Sequence, residues 1–239
     1  MKNIIRISGV TMITILIQAC TKEVDNTIRD IDGNVYTSVT IGTQVWMVEN
    51  LKTTKYLNGD LIGTTNPDTL DITLESTPKY QWAYEGNESN VNTYGRLYTW
   101  YAITDTRNVC PIGYHIPTDT EWTTLTDYLI NNGYGYQGSG NDIGKSMAAT
   151  SGWGTDPTEG NLGNDQEGNN SSGFTALPSG SRDYFGSFWD IGYVGRWWSS
   201  TEASTMSTYY RGMSAGYSNV LRYDLGKQNG FSVRCLRDK

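Results

Sequence analysis

Regular alternation of apolar and polar positions first appears at residues 34–41, where Val35, Thr37, Val39 and Ile41 fall on one face of an extended chain. Gly42-Thr43 turns that segment back into residues 44–48, so the pattern predicts an N-terminal β-hairpin. Residues 58–92 hold no sustained period. The turn signals Asn58-Gly59 and Asn66-Pro67 break them, which predicts a long polar excursion with one or two short strands. A helical period returns over residues 94–103 and, more sharply, after Pro117. There Thr118 and Glu121 make a Thr-x-x-Glu capping box, Trp122, Leu125 and Leu129 supply the apolar stripe, and Asn132-Gly133 stops the helix. Residues 151–173 carry six glycines, four asparagines and four acids (Asp156, Glu159, Asp165, Glu167), and no Lys or Arg falls between Ser146 and Ser181. That composition predicts an irregular acidic loop. Beyond it, residues 174–177, 181–185, 196–200, 207–213, 219–223 and 231–236 read as short strands separated by Gly, Asn and Ser turns, the pattern of an antiparallel sheet. Two helices beside such a sheet, with long loops, place the chain in the α+β class.

One apolar run stands outside this pattern. Val10, Met12, Ile13, Ile15, Leu16 and Ile17 follow a basic start at Lys2 and Arg6, and the run is shorter than the roughly 20 residues of a bilayer span, so residues 1–19 read as a signal peptide. Leu16-Ile17-Gln18-Ala19-Cys20 resembles the lipobox of bacterial lipoproteins. The resemblance implies cleavage before Cys20, diacylation of its thiol and acylation of its amine, an anchor of more than one chain and therefore durable. No aspartate follows Cys20, and Lys22-Glu23 resembles the surface-export signal of Bacteroidetes lipoproteins. A lipid-anchored outer-membrane protein exposed at the cell surface is expected. Residues 20–31 are then the lipidated cysteine and a short polar tether, and residues 32–239 one domain, because no Pro/Ser-rich linker or charge block divides them.

Loss of residues 1–19 removes Lys2 and Arg6 and shifts the net charge from −7 to −9. Such a chain lacks the cationic excess that neutralises phosphates, which excludes nucleic acid as an expected partner. With 17 Tyr and 8 Trp against 4 Phe, its rings mostly carry a polar edge, suited to wet cores and to binding surfaces. Cys110 and Cys235 are the only cysteines of the domain. Phe231, Val233 and Cys235 share a face of the last predicted strand, so Cys235 points toward the core. Export permits a Cys110–Cys235 disulfide, worth about 4–5 kcal/mol on the chain-entropy model for so long a loop; two buried free thiols are the alternative.

Six motifs, in order, then carry a resemblance over residues 32–238. They are Asp32-Gly33-Asn34-Val35-Tyr36, the run Ile41-Gly42-Thr43-Gln44-Val45-Trp46 to Leu51, Tyr94-Gly95-Arg96-Leu97-Tyr98, the run Cys110-Pro111-Ile112-Gly113-Tyr114-His115 to Trp122, Trp197-Trp198-Ser199-Ser200-Thr201-Glu202, and Gly230-Phe231-Ser232-Val233-Arg234-Cys235. Together they resemble the Fibrobacter succinogenes major paralogous domain of bacterial surface lipoproteins. That family is similar to C-type lectin-like domains, and its Ile-Pro-Thr-x-x-Glu-Trp and Gly-Phe-x-Val-Arg motifs to formylglycine-generating enzymes. The resemblance implies two main helices, an irregular sheet, termini that meet and a ligand surface in the long loops. It implies no activity, because one fold hosts many.

Candidate chemistry is sparse. Formylglycine-generating enzymes use cysteines near the C-terminus, where this chain has Cys235 alone. His115, the single histidine, rules out histidine-cluster metal sites and reads as a polar plug at the helix entrance. Ser139-Gly140-Asn141-Asp142-Ile143-Gly144-Lys145-Ser146 approaches a phosphate-binding loop but has Ser139 where the first glycine belongs. Asp156, Glu159, Asp165, Glu167, Asp183 and Asp190 could supply paired carboxylates for glycoside hydrolysis. Asp156, Asp165, Glu167 and Asn169, with Asn161, Asn164 and Asn170, are the candidate ligands of a structural calcium, although the lectin Glu-Pro-Asn tripeptide is absent. Trp189, Trp197, Tyr209 and Tyr217, with Trp198, Tyr210 and Tyr223 nearby, are the candidate ligand-stacking rings. Asp68-Thr69-Leu70 resembles a Bacteroidetes O-glycosylation sequon. The expectation is a non-enzymatic surface module for a glycan or a surface protein; a carbohydrate hydrolase and a structural envelope component are the alternatives.

Overall fold

The computed structural model describes residues 27–138 and 140–239. The signal peptide, Cys20 and residues 21–26 of the tether lie outside the described residues. β1 (Ile28–Arg29) and β2 (Val35–Tyr36) pair antiparallel, and β3 (Ser38–Ile41) with β4 (Gln44–Met47) forms the predicted hairpin. The alternation of residues 34–41 does not run through. Val39 and Ile41 face inward, but Val35 is exposed and Tyr36 is buried in its place, with its hydroxyl donating to Asp30 Oδ2 at 2.6 Å and accepting from the Lys52 amide at 2.9 Å. β2 and β3 belong to different sheets, so the inward parity changes at Thr37.

The helix predicted over residues 94–103 is broken into α1 (Val91–Tyr94) and α2 (Trp100–Ile103). The break is at Gly95, where φ is +73° and a Cβ would stand 2.6 Å from Asn50 Cβ. Between the two helices the chain pairs as a strand, β5 (Gln81–Trp82) against β6 (Leu97–Tyr98). β7 (Tyr114–His115) leads into α3 (Asp119–Asn131), whose capping box forms as expected. Thr118 Oγ1 accepts from the Glu121 amide at 3.2 Å, and the Thr118 amide donates to Glu121 Oε2 at 2.8 Å. Trp122, Leu125 and Leu129 are its buried stripe. A short α4 (Gly144–Met147) follows.

Residues 174–177 form no strand and make only a bridge at Ala176 to Ala148. The main sheet is built from β8 (Ser179–Arg182), β9 (Phe188–Ile191), β10 (Val194–Glu202), β11 (Ser207–Ser214) and β12 (Leu221–Gly226), in the order β12-β11-β10-β8-β9. Its pairings are antiparallel except β8 with β10, which run parallel and meet at Gly180 and Gly195. β13 (Leu236–Arg237) inserts between β4 and β7, so the two ends of the domain meet in a second, four-stranded sheet. The molecule is thus mixed, mostly sheet with few short helices.

The segment predicted as one closing strand, residues 231–236, changes partner almost residue by residue: Phe231 bridges Tyr98, Ser232 bridges Trp197, and Leu236 pairs with Trp46 and His115. Phe231, Val233 and Cys235 point inward as expected, but Ser232 and Arg234 are buried as well. Cys235 is bonded to Cys110. Two apolar clusters result, one around Met47, Tyr98, Trp198, Phe231 and the disulfide, the other around Trp46, Trp122, Phe174 and Trp197.

Candidate functional site

Strand pairing sorts the residues of the main sheet onto two faces, since directly opposed residues project to the same side. Val194, Arg196 and Trp198 oppose Ser214, Gly212 and Tyr210, and the last two in turn oppose Leu221 and Tyr223. Trp198 stacks on Phe231 with centroids 4.1 Å apart, and Tyr210 lies 5.0 Å from the same ring and 6.3 Å from Tyr223. Outward from this aromatic floor the face opens into a cavity of about 220 Å³ lined by Arg196, Tyr210, Gly212, Tyr217, Leu221 and Tyr223. Tyr217 and Tyr223 remain 57% and 54% exposed, rings with no core to cover them. The Arg196 guanidinium is fixed at the rim by Ser181 Oγ at 2.7 Å and Asp190 Oδ2 at 3.2 Å. Burial pushes the Tyr210 phenol up, with Arg196 pulling partly the other way, so the hydroxyl stays protonated at neutral pH and can donate.

Gly212 gives the cavity its depth, because it opposes both Arg196 and Leu221 and offers only backbone. A Cβ there would meet Tyr210 Cε2 at 3.4 Å and Leu221 Cβ at 4.0 Å, ordinary contacts. The volume lies below the ~300–1,000 Å³ of pockets for drug-sized ligands, which suits one flat ring or one side chain.

The four candidate stacking rings do not meet in one place. Trp197, 1% exposed, points to the opposite face and donates its indole N–H to Asn50 Oδ1 at 2.8 Å within the core. Tyr209 lies on that same opposite face, covered by the Arg222 guanidinium 3.9 Å from its ring centre. Tyr217 lines the cavity, and Trp189 is exposed on β9, opposite Ser181, with its N–H donating to Asp183 Oδ2 at 2.8 Å. Arg196, Gly212 and Leu221 carried no sequence signal of their own. The period-two parity of residues 194–198 against 210–214 was the signal that could have grouped them.

In the acidic loop the cationic position is filled from within the chain. Lys145 Nζ donates to the carbonyl of Asp165 at 3.0 Å and to that of Asn164. Asp156 accepts from the Thr158 amide and from Asn161 Nδ2, and Asn169 turns its NH₂ to the carbonyls of Ala149 and Leu162. Asn169 Oδ1 is buried without a hydrogen-bond partner, one oxygen where calcium takes six to eight. Among the described residues no group of three His, Cys, Asp or Glu could hold a metal ion. Asp183 and Asp190 are held by Trp189 and Arg196. His115 bridges Asp238 at 2.7 Å and Glu121 at 3.1 Å, tying the chain end to the helix entrance. Thr69 is exposed in a loop whose carbonyls at Asp68 and Leu70 are gripped by Arg182, and Ser139 lies outside the described residues.

A larger groove of about 690 Å³ runs between residues 73–76 and the β11–β12 end, with Leu74 and Met206 projecting from its walls. Its cation, Lys227, is spent on Glu202 at 2.7 Å and on the Trp100 ring. Among the described residues no helix is long and apolar enough to cross a membrane.

Sequence motifs, sheet-dominated α+β fold and disulfide together define a cysteine-bridged domain with one open aromatic sheet face. The chain belongs to the Fibrobacter succinogenes major domain family, whose model matches residues 39–237. No curated protein and no solved structure matches it.

Proposed function

We propose that the protein is a non-enzymatic lipoprotein, anchored in the outer membrane through Cys20, whose C-type lectin-like domain binds a glycan or a surface protein on the open face of the main sheet. The observation that carries this reading is the exposed pair Tyr217 and Tyr223 over a cavity rimmed by the immobilised Arg196. Exposed tyrosines stack on the apolar face of a sugar ring or a side chain, while a held guanidinium donates to its oxygens. The separate hydrogen bonding of Asp156, Asp183 and Asp190 supports binding over hydrolysis, which needs two carboxyl groups aimed at one bond. Calcium is not required for this site, which contains no carboxylate cage.

Residues 21–239 applied to glycan and surface-protein arrays, with and without EDTA, test the reading. A saturable ligand that is chemically unchanged and insensitive to EDTA is expected. Tyr217→Ala should weaken it roughly tenfold or more, the loss of one stacking contact of ~1.5 kcal/mol. Gly212→Val should abolish it by filling the floor, while the added side chain suits a strand and leaves the fold intact. Silence on both arrays, or a ligand indifferent to both substitutions, sinks the proposal.

A further inference from the structure

We infer that β12 is a dimerisation edge, at which a second copy of this chain pairs antiparallel about a two-fold axis through Tyr223 and extends the main sheet across both molecules. β12 is the terminal strand of that sheet, and from Leu221 to Leu225 its backbone bonds to nothing beyond β11 among the described residues. Terminal strands are templates for pairing, and proteins usually blunt them with a bulge, a proline, a short length or charged side chains. β12 has none of the first three, since its register with β11 is unbroken over six residues without proline, and its two exposed charges, Arg222 and Asp224, are of opposite sign.

The sequence of the edge selects both the partner and the register. Leu221-Arg222-Tyr223-Asp224-Leu225 is self-complementary when read against itself in reverse. With Tyr223 on the axis, Arg222 of each copy opposes Asp224 of the other on the helix-bearing face, and Leu221 opposes Leu225 on the aromatic face. Opposed unlike charges and opposed apolar groups each stabilise a pair of strands, whereas like charges repel. A shift of the axis to residue 222 or 224 sets Arg against Arg or Asp against Asp. A shift by half a step would oppose residues of different faces, which a two-fold normal to the sheet forbids. The Asp224 carboxylate has no hydrogen-bond or ion-pair partner among the described residues, so its charge is free to meet Arg222 of the second copy. Arg222 uses Nε and Nη2 on Asp119 and keeps a side chain 47% exposed. The two aromatic cavities then open on the same side of one continuous sheet, next to the axis. Leu221 and Tyr223 belong to both the cavity and the edge, but self-association is read without any ligand, so its failure is distinguishable from failure of the binding proposal.

Sedimentation velocity on residues 21–239, which contain both apolar clusters and the disulfide, tests it over about 1–200 μM, the range suited to an interface of one strand pair. A reversible monomer–dimer equilibrium is expected, and Asp224→Lys, which opposes two cations, should weaken it at least tenfold. In the second arm, Tyr223→Cys under mild oxidation should yield a disulfide-linked dimer, because Cα atoms facing across the axis are ~4.5–5.5 Å apart, within disulfide reach. Leu225→Cys should not, since its copies lie roughly 14 Å apart along the strands. Circular dichroism checks that each variant is folded. A wild-type chain that stays monomeric throughout, a dimer indifferent to Asp224→Lys, or a Leu225→Cys variant that cross-links as fast as Tyr223→Cys would each overturn the inference.

Discussion

The side-chain amide of Asn50 joins three segments where water does not reach. Its Oδ1 accepts from Arg234 Nη2 at 3.0 Å and from Trp197 Nε1 at 2.8 Å, and its Nδ2 donates to the carbonyl of Tyr94 at 2.9 Å. Arg234 is fully buried and no carboxylate among the described residues bonds to it; carbonyls of Phe174, Met47 and Thr175 supply its other acceptors, and its guanidinium lies 4.5 Å from the Phe174 ring. A cation held by neutral oxygens tolerates the loss of one poorly, because the released donors stay in the dry interior. Asn50→Leu should therefore cost about 3–5 kcal/mol in urea unfolding, well above the ~0.5 kcal/mol of a surface change. A loss below about 1 kcal/mol would show that the guanidinium finds other acceptors. Alternation along the last segment could not foretell this, since it places Arg234 opposite Phe231 and Val233, on the side that in an ordinary edge strand meets solvent. Trp197 and Trp198 posed the same problem. Neighbours on a strand face opposite ways, and here both sides are core.

At the level of elements, α3 was legible because its determinants are local: a capping box, a three-residue stripe and a glycine stop all act within its own turns. The break at Gly95 was not, because it is imposed by Asn50, distant in sequence, and β9 escaped because its inward parity is interrupted by the positive φ of Asp190. The helix entrance also makes a pH prediction. Burial pushes the Glu121 carboxyl up, but the Thr118 amide and hydroxyl and the neighbouring His115 more than offset this, leaving it below its ordinary value of 4.5. A carboxylate with a depressed folded pKa contributes stability that is full above about pH 4.5 and is lost as the pH falls through the folded value. Glu121→Gln should thus lower the urea midpoint at pH 7 and have progressively less effect from about pH 5 down to pH 3. A deficit that stays constant across that range would assign the carboxylate to packing alone. Thr118→Ala removes the reciprocal half of the box together with a hydroxyl that donates to the Glu121 carboxylate, and should cost ~1 kcal/mol at pH 7 and less at pH 3.

Across the whole molecule, the two apolar clusters are not separate units. Trp46 and Met47 are neighbours on β4 yet belong to different clusters, as do Trp197 and Trp198 on β10. The closing segment runs beside both, with Phe231, Val233 and Cys235 in one cluster and Leu236 in the other. A strand cannot leave one cluster while its next residue stays seated in the second, so the domain should unfold in one step. The disulfide joins residues 125 apart in sequence and fastens this shared segment to the chain just before α3. Both cysteines sit in the first cluster, so only the shared strands can carry the effect of their removal to the second. The double variant Cys110→Ser/Cys235→Ser should therefore lose about 2–5 kcal/mol, the range for removing a native bridge. Tryptophan fluorescence and far-ultraviolet circular dichroism should still report a single urea transition at a coincident, lowered midpoint. Two separated transitions would mean that the clusters fold independently and that the bridge, rather than the shared strands, couples them.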